Sequence, residues 1–359
     1  MRLQDLFDRR HRRFVRQQAP AQGASLSRLA WRRFCRNPLS IASLAVIGTF
    51  LAIAILGYLI TPDSTPHCNQ QYLELATLKP FSRVEFICLD DGQPHTEQGW
   101  LRTMLVGKPL PYTAIPVTAE TDTASIDTSK IIGRETRTFI LGTDSYGRDL
   151  LSIIMIGSRV SLSVGFIAIA IALLIGITLG AVAAYCGRRA DALISWLINV
   201  VWAIPTVLLV IAITFALGKG FWQVFIAVGL TMWVDIARVV RGQVFSIKEK
   251  EYVEAARAIG CPPRRIIFRH ILPNISGPVI VVAAANFASA ILLEAGLSFL
   301  GIGVQPPMPS WGTLVKENYC QILLGNAHLA LLPGLAIMLL VLAFMLLGNG
   351  LRDALDTRQ

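Results

Sequence analysis

The sequence predicts an all-α membrane protein with six transmembrane helices and a polar insertion between the first two. Three observations lead there. First, the 359 residues are 53% hydrophobic and only 16% charged, against about a quarter charged in soluble domains. Second, six stretches are long and apolar enough to cross a hydrocarbon core about 30 Å thick. Third, the net charge of +10 gathers beside those stretches, where the positive-inside rule puts it. The basic residues are not interleaved with aromatics as on a nucleic-acid-binding surface. The six cysteines form no C-x-x-C pair and no His-containing metal pattern, so no metal site is expected.

Residues 1–38 form a basic tail with ten Arg, two Asp and no Lys. It reads as a cytoplasmic topology signal, with attraction to anionic lipid as the second reading. Residues 39–60 carry no charge and form the first span. A signal peptide would have a shorter apolar region and a small-residue cleavage site after it.

Residues 61–150 are polar, with twelve acidic and eight basic residues. That local charge of −4 contrasts with the +8 of the tail and places the segment outside the cytoplasm, as a small subdomain with little core of its own. Residues 83–89 and 101–106 read as short strands, and 118–130 as a loop. Cys68 and Cys88 lie here, and two readings stay open: a disulfide, or free thiols, since Cys320 outside makes the count odd.

Five further spans are expected at 161–185, 192–217, 221–237, 279–300 and 329–348, within a core of 151–350, followed by a short tail at 351–359. Six spans put both termini inside. Arg188, Arg189 and the eight basic residues from Arg238 to Arg269 agree with that orientation. Gly176 and Gly180 are spaced for close helix contact. Asn199 and Pro205 interrupt the third span, through ordinary packing or as a kink. Asp235 and Arg238 are spaced to pair on one helix face. Glu294 is the one carboxylate well inside an apolar span, where a charge costs about 2.5–3.5 kcal/mol at mid-helix. It lies roughly 24 Å along its span, near water, which favours an interface or gate role over a proton relay.

The most informative cytoplasmic segment is 238–275. Tyr252, Ala255, Ala256 and Ile259 recur at helical spacing, and Glu251 and Glu254 point elsewhere. Gly260 is the expected stop and Cys261-Pro262-Pro263 the elbow. A second short helix follows, with Arg264, Arg265 and Arg269 as its charges, and Ile267 with Ile271 and Phe268 with Leu272 as its apolar pairs. Pro273 is expected to end it. The chain has no G-x-x-x-x-G-K-[ST] phosphate loop and none of the common hydrolase or metalloprotease motifs. It also lacks the intramembrane acid chain of a proton-coupled pump. A membrane pathway without an energy source, plus an elbow between spans, suggests an element that receives one.

Glu254-Ala255-Ala256, Gly260 and His270-Ile271-Leu272-Pro273 resemble the EAA signature of ABC importer permeases, with His270 where the general pattern has Ile. The run 265–274 resembles the dipeptide/oligopeptide branch, C-type subunit. Leu141-Gly142-Thr143-Asp144 with Gly147-Arg148-Asp149, the run 294–301, and 303–307 with Ser310-Trp311-Gly312 agree with that branch. The resemblance leaves 62–139 aside.

The resemblance implies a type I importer fold in a bacterial inner membrane. This chain would be non-catalytic, bind no cofactor and form half of a peptide pathway. Its partners would be a second permease, two subunits that hydrolyse ATP, and an extracytoplasmic substrate-binding protein. It implies that Tyr252, Glu254, Ala255, Ala256, Gly260, Arg264, Arg265, Phe268, Arg269, His270, Leu272 and Pro273 couple to the ATPases. Asp144, Arg148, Glu294 and Trp311 are the gate or interface candidates; a turn with a helix cap serves equally for Asp144 and Arg148, and interfacial anchoring for Trp311. A nickel or glutathione permease is the nearest alternative. An ion-coupled transporter would need internal repeats and intramembrane ion ligands. A membrane-embedded enzyme would need clustered catalytic side chains at membrane depth, and a bare scaffold for ATPase assembly is the weakest rival.

Overall fold

A computed structural model describes residues 26–90, 92, 99–118, 128–218 and 220–355. The arginine run of the tail, most of the expected loop at 118–130 and the last four residues lie outside the described residues. Helix α1 (Leu26–Phe34) precedes α2 (Pro38–Ile60), the first span. Asn37 caps α2 by accepting from Leu39 N, and Pro38 starts it, where a missing N–H costs nothing. The span is peripheral: little of it is buried against the rest of the chain.

The segment after α2 folds into a three-stranded antiparallel sheet, β1 (Ser82–Leu89), β2 (Thr113–Pro116) and β3 (Ile131–Phe139), in the order β2-β1-β3. The strand expected at 83–89 is therefore present and central. The strand expected at 101–106 is not: Trp100–Val106 is a helix, α3. Its Thr103 and Gly107 close a helical turn. The chain is mostly helical, and within the insertion this small sheet buries Phe86, Phe139, Leu75 and Ala114 in a satellite core of its own.

Cys68 and Cys88 are both free thiols. Cys68 is buried in the main helical core, where its thiol donates to the Asp63 carbonyl at 3.0 Å and burial pushes its pKa up. Cys88 sits at the centre of the sheet between Ala114 and Gly133.

Helix α4 (Leu150–Cys186) is far longer than its expected span. Asp149 caps it by accepting from Ser152 N at 2.9 Å. At helical rise it is about 55 Å long, and it separates the sheet at one end from the charged elbow at the other. It packs along α7 (Phe221–Lys248), the most enclosed span. Gly176 and Gly180 are the points of closest approach. A Cβ on Gly176 would come within 2.8 Å of the Trp233 carbonyl oxygen, and one on Gly180 within 2.6 Å of that of Ala237.

The third span is broken. Helices α5 (Arg188–Ala203) and α6 (Thr206–Leu217) meet at 95°. Pro205 supplies no N–H and disfavours a helical Ile204, which is extended. The interruption at Pro205 is therefore a kink rather than simple packing, while Asn199 lies within α5. Counted with this pair as one span, the described residues give six candidate crossings.

Helix α8 (Glu251–Ala258) and α9 (Pro263–Ile266) form the elbow. The second elbow helix does not end at Pro273. A π turn over Ile267–Ile271 joins it to α10 (Leu272–Phe299), and the whole runs on as the fifth span. Pro273 stands in the first turn of α10, where its lack of an N–H is tolerated. Helices α11 (Trp311–Asn318) and α12 (His328–Leu355) complete the bundle, α12 packing on α10 and α2.

Candidate functional site

The elbow presents two faces. Val253 and Ala256 of α8, with Ile266 and Ile271 beyond the bend, are buried in the main core. Ala256 thus faces the bundle, not a shared outer stripe with Tyr252 and Ala255 as expected. Tyr252, Glu254, Ala255, Ile259, Arg264, Arg265, Phe268, Arg269 and Pro273 are exposed, and His270 and Leu272 half-buried. The apolar side chains standing out are Tyr252, Ile259 at 80% exposure and Phe268 at 70%. Exposed apolar side chains ringed by Arg264, Arg265 and Arg269 are the composition of a protein-docking patch.

The bend has a definite cause. Gly260 has φ +79°, a left-handed conformation that a side chain strains. Gly260 N donates to Arg257 O at 3.0 Å and Cys261 N to Ala256 O at 3.1 Å. That bond pair is a Schellman stop, and Pro262-Pro263 turns the chain into α9. The elbow is tethered to the end of α4, where Arg257 lies over the Tyr185 ring and Lys248 Nζ donates to Ala184 O at 3.0 Å. On the same end, Arg241 grips Asp191 of α5 with two bonds, at 2.5 and 2.8 Å. The expected Asp235–Arg238 pair does not form; the Arg238 guanidinium lies over the Trp202 ring instead.

At the opposite end of α4, the turn 142–149 holds a charge knot. Asp144 is fully buried. Its Oδ1 accepts from the backbone N–H groups of Tyr146 at 3.0 Å and Arg148 at 2.9 Å, and its Oδ2 from Arg148 Nε at 2.7 Å. Arg148 also bonds Glu317 of α11 at 2.7 Å, and Asn318 next to it accepts from the Ser145 hydroxyl at 2.8 Å. Burial works against the Arg148 charge, but the two carboxylates outweigh it and raise its pKa. Gly147 has φ +74°, and a Cβ there would overlap the Tyr72 carbonyl. The spacing of Asp144 and Arg148 thus serves the turn, while Asp149 supplies the helix cap. Glu317 and Asn318 went unread in the sequence; carboxylate and amide side chains closing the helix that follows Ser310-Trp311-Gly312 were the available signal.

Glu294 and Trp311 lie deeper, side by side in the fold but in different roles. Glu294 does not reach water: it is fully buried, with Ser298 Oγ donating at 2.7 Å, Ser161 Oγ at 3.3 Å, and Ser310 beside it. Trp311 is buried too, and does not anchor at a lipid interface. Its Nε1 donates to Ile154 O at 2.8 Å and its ring packs edge-on against Phe50 of α2. The pair therefore ties α11 to α4, α10 and α2.

A polar cavity of about 270 Å³ lies where the sheet meets the bundle, lined among others by Asp63, Tyr72, Arg137 and Asp149. Burial pushes the Asp63 and Asp149 carboxyls up. Asp149 Oδ1 and the Tyr72 hydroxyl have no partner there. No group of three or more metal-ligating side chains occurs among the described residues.

The fold is thus a multi-pass helical bundle with a broken span, a charge-locked end and an exposed elbow between two long spans. Comparison with known proteins gives the family. Residues 176–359 match the binding-protein-dependent transport system inner membrane components, and residues 25–80 the N-terminal TM domain of oligopeptide transport permease C. The chain belongs to this family of ABC importer permeases, and so to the inner membrane. A dipeptide transport system permease protein of Alkalihalophilus pseudofirmus is 45% identical over 60% of this chain and 71% of its own length. A glutathione transport system permease protein of Pectobacterium atrosepticum is 42% identical over 61% of this chain and 72% of its own. A dipeptide transport system permease protein of Lactococcus lactis is 30% identical over 92% of this chain and 90% of its own. That last alignment is longer than the chain without 62–139, so it runs through part of the sheet-bearing segment.

Proposed function

We propose that this chain is one of two permease subunits of a peptide importer, and that its elbow receives the stroke of two ATP-hydrolysing partners. The exposed Tyr252, Ile259 and Phe268 surface carries the reading, because apolar side chains of that size are otherwise left in water at a protein's charged end. Val253, Ala256, Ile266 and Ile271 root the elbow in the core, and α9 continues into the fifth span without a stop. A push on the elbow is therefore carried into α10 as a rigid-body movement. ATP is bound and hydrolysed by the partners, and this chain needs no cofactor. The sheet-bearing segment lies outside, facing the binding protein, and both termini lie in the cytoplasm. Relatives named for dipeptides, oligopeptides and glutathione support a peptide as cargo.

The test is ATP-driven uptake by proteoliposomes holding this chain, its companion permease and both ATPases, with the cognate binding protein outside. Uptake of labelled dialanine, not displaced by excess glutathione, is expected. Uptake of glutathione alone would move the reading to the glutathione branch, and uptake without ATP would overturn it.

A further inference from the structure

The break in the third span does more than bend a helix. Where α5 and α6 part at 95°, they leave a cavity of about 450 Å³ against α7 and α10. Trp202, Ile204 and Thr206 line it from the broken span, Met232 and Asp235 from α7, and Asn286 from α10. Asp235 is the one charged side chain in that lining. It sits at the fifteenth of the 28 residues of α7, roughly 21 Å from the Phe221 end at helical rise. Arg238 and Arg241 follow it within two turns, so it stands toward the cytoplasmic end of the apolar part of α7, where a carboxylate still costs free energy unless water or a partner reaches it.

Asp235 is exposed to the cavity and has no ion pair or hydrogen bond among the described residues. The nearest cation along the helix, Arg238, is engaged with the Trp202 ring at 4.2 Å. Glu294 of α10, by contrast, has two serines, and Asp191 in the first turn of α5 has Arg241. A single carboxylate in a cavity whose other polar groups are the neutral Thr206, Thr231, Asn286 and Ser289, set among apolar walls, is complementary to a cationic group small enough to enter with an apolar body. The α-ammonium of a peptide is such a group, and dipeptides, longer peptides and glutathione share it.

We infer that Asp235 binds the α-ammonium group of the transported peptide inside the membrane, after the binding protein has released it. The inference rests on the peptide reading above. The cavity walls then take the first side chains, which suits a site that must tolerate many sequences. Because the contact is a charge-assisted hydrogen bond, its loss slows passage without touching delivery or ATP hydrolysis.

The test uses the reconstituted complex at saturating dialanine-loaded binding protein, comparing wild type, Asp235→Asn and Asp235→Glu. Uptake by Asp235→Asn should fall at least about tenfold, the loss expected for one hydrogen bond to a charged group. Stimulated ATP hydrolysis should persist, and Asp235→Glu should recover most of the uptake. If wild type imports no dipeptide, the peptide reading and this inference fall together. If wild type imports it and Asp235→Asn matches it within about twofold, this inference alone falls. It also falls if Asp235→Asn loses the second permease on purification, which would make Asp235 an interface ion-pair residue, or if uptake and ATP hydrolysis drop in parallel.

Discussion

The two ends of α4 carry opposite kinds of site. At the end beside the sheet, Asp144, Arg148, Glu317, Ser145 and Asn318 spend their polar atoms on one another, and Asp144 is fully buried. At the other end, the elbow leaves Ile259 and Phe268 largely exposed while Val253, Ala256, Ile266 and Ile271 anchor it in the core. One end is closed on itself and the other is unfinished. A self-satisfied charge knot stabilises the chain that holds it, whereas exposed apolar groups at a rigid bend are stabilising only when another surface covers them. The difference separates residues that hold this subunit together from residues that speak to a partner, though both sets stand in signature motifs.

The comparison can be broken in several ways. The largest expected effect is Arg148→Ala. It leaves the Asp144 carboxylate buried without its cation, which costs about 3–5 kcal/mol, read as a lowered melting temperature in detergent. Next is Gly260→Val, which forces a β-branched side chain into φ +79°. Open space surrounds that position, so the cost is backbone strain of about 1–2 kcal/mol together with loss of ATP-driven uptake. Gly260→Ala should lie between.

The smallest is Asp149→Asn, and it sharpens the closed end by its pH dependence. Burial raises the Asp149 pKa in the folded protein, so the folded state holds that proton more tightly than the unfolded chain. Stability from this group is then greatest in acid and is lost as pH rises through the folded pKa. Asparagine keeps an acceptor for Ser152 N and removes the charge. The variant should melt slightly higher than wild type at pH 7.5, by about 1 kcal/mol or less, and the advantage should vanish on acidification. An equal shift at both pH values would contradict it.

Much of this was legible beforehand because local chemistry decides it. The first span follows from its uninterrupted apolar run, the elbow from Gly260 and the two prolines, and β1 from its alternation. Span lengths were not, because ends that protein covers need not be apolar: Ser152 and Ser158 are buried in α4, and α7 carries Arg238 and Arg241 before it stops at Lys248. Pro273 misled because the π turn before it lets the helix pass. Glu294 misled because distance along a helix says nothing of the serines that surround it. Glu317, Asn318 and the Asp191–Arg241 pair join positions far apart in the chain, and no spacing rule reaches that far.

The most direct test of the central claim sets one substitution from each end side by side. Phe268→Ala and Arg148→Ala are expressed with the companion permease and the ATPases, and each complex is purified through this chain, then melted. Phe268→Ala should keep its melting temperature within the change expected for about 0.5 kcal/mol while losing most of the co-purified ATPase. Arg148→Ala should melt lower yet retain ATPase in proportion to the folded chain recovered. Full ATPase retention by Phe268→Ala, with ATPase loss confined to Arg148→Ala, would contradict the assignment of the elbow as the coupling surface.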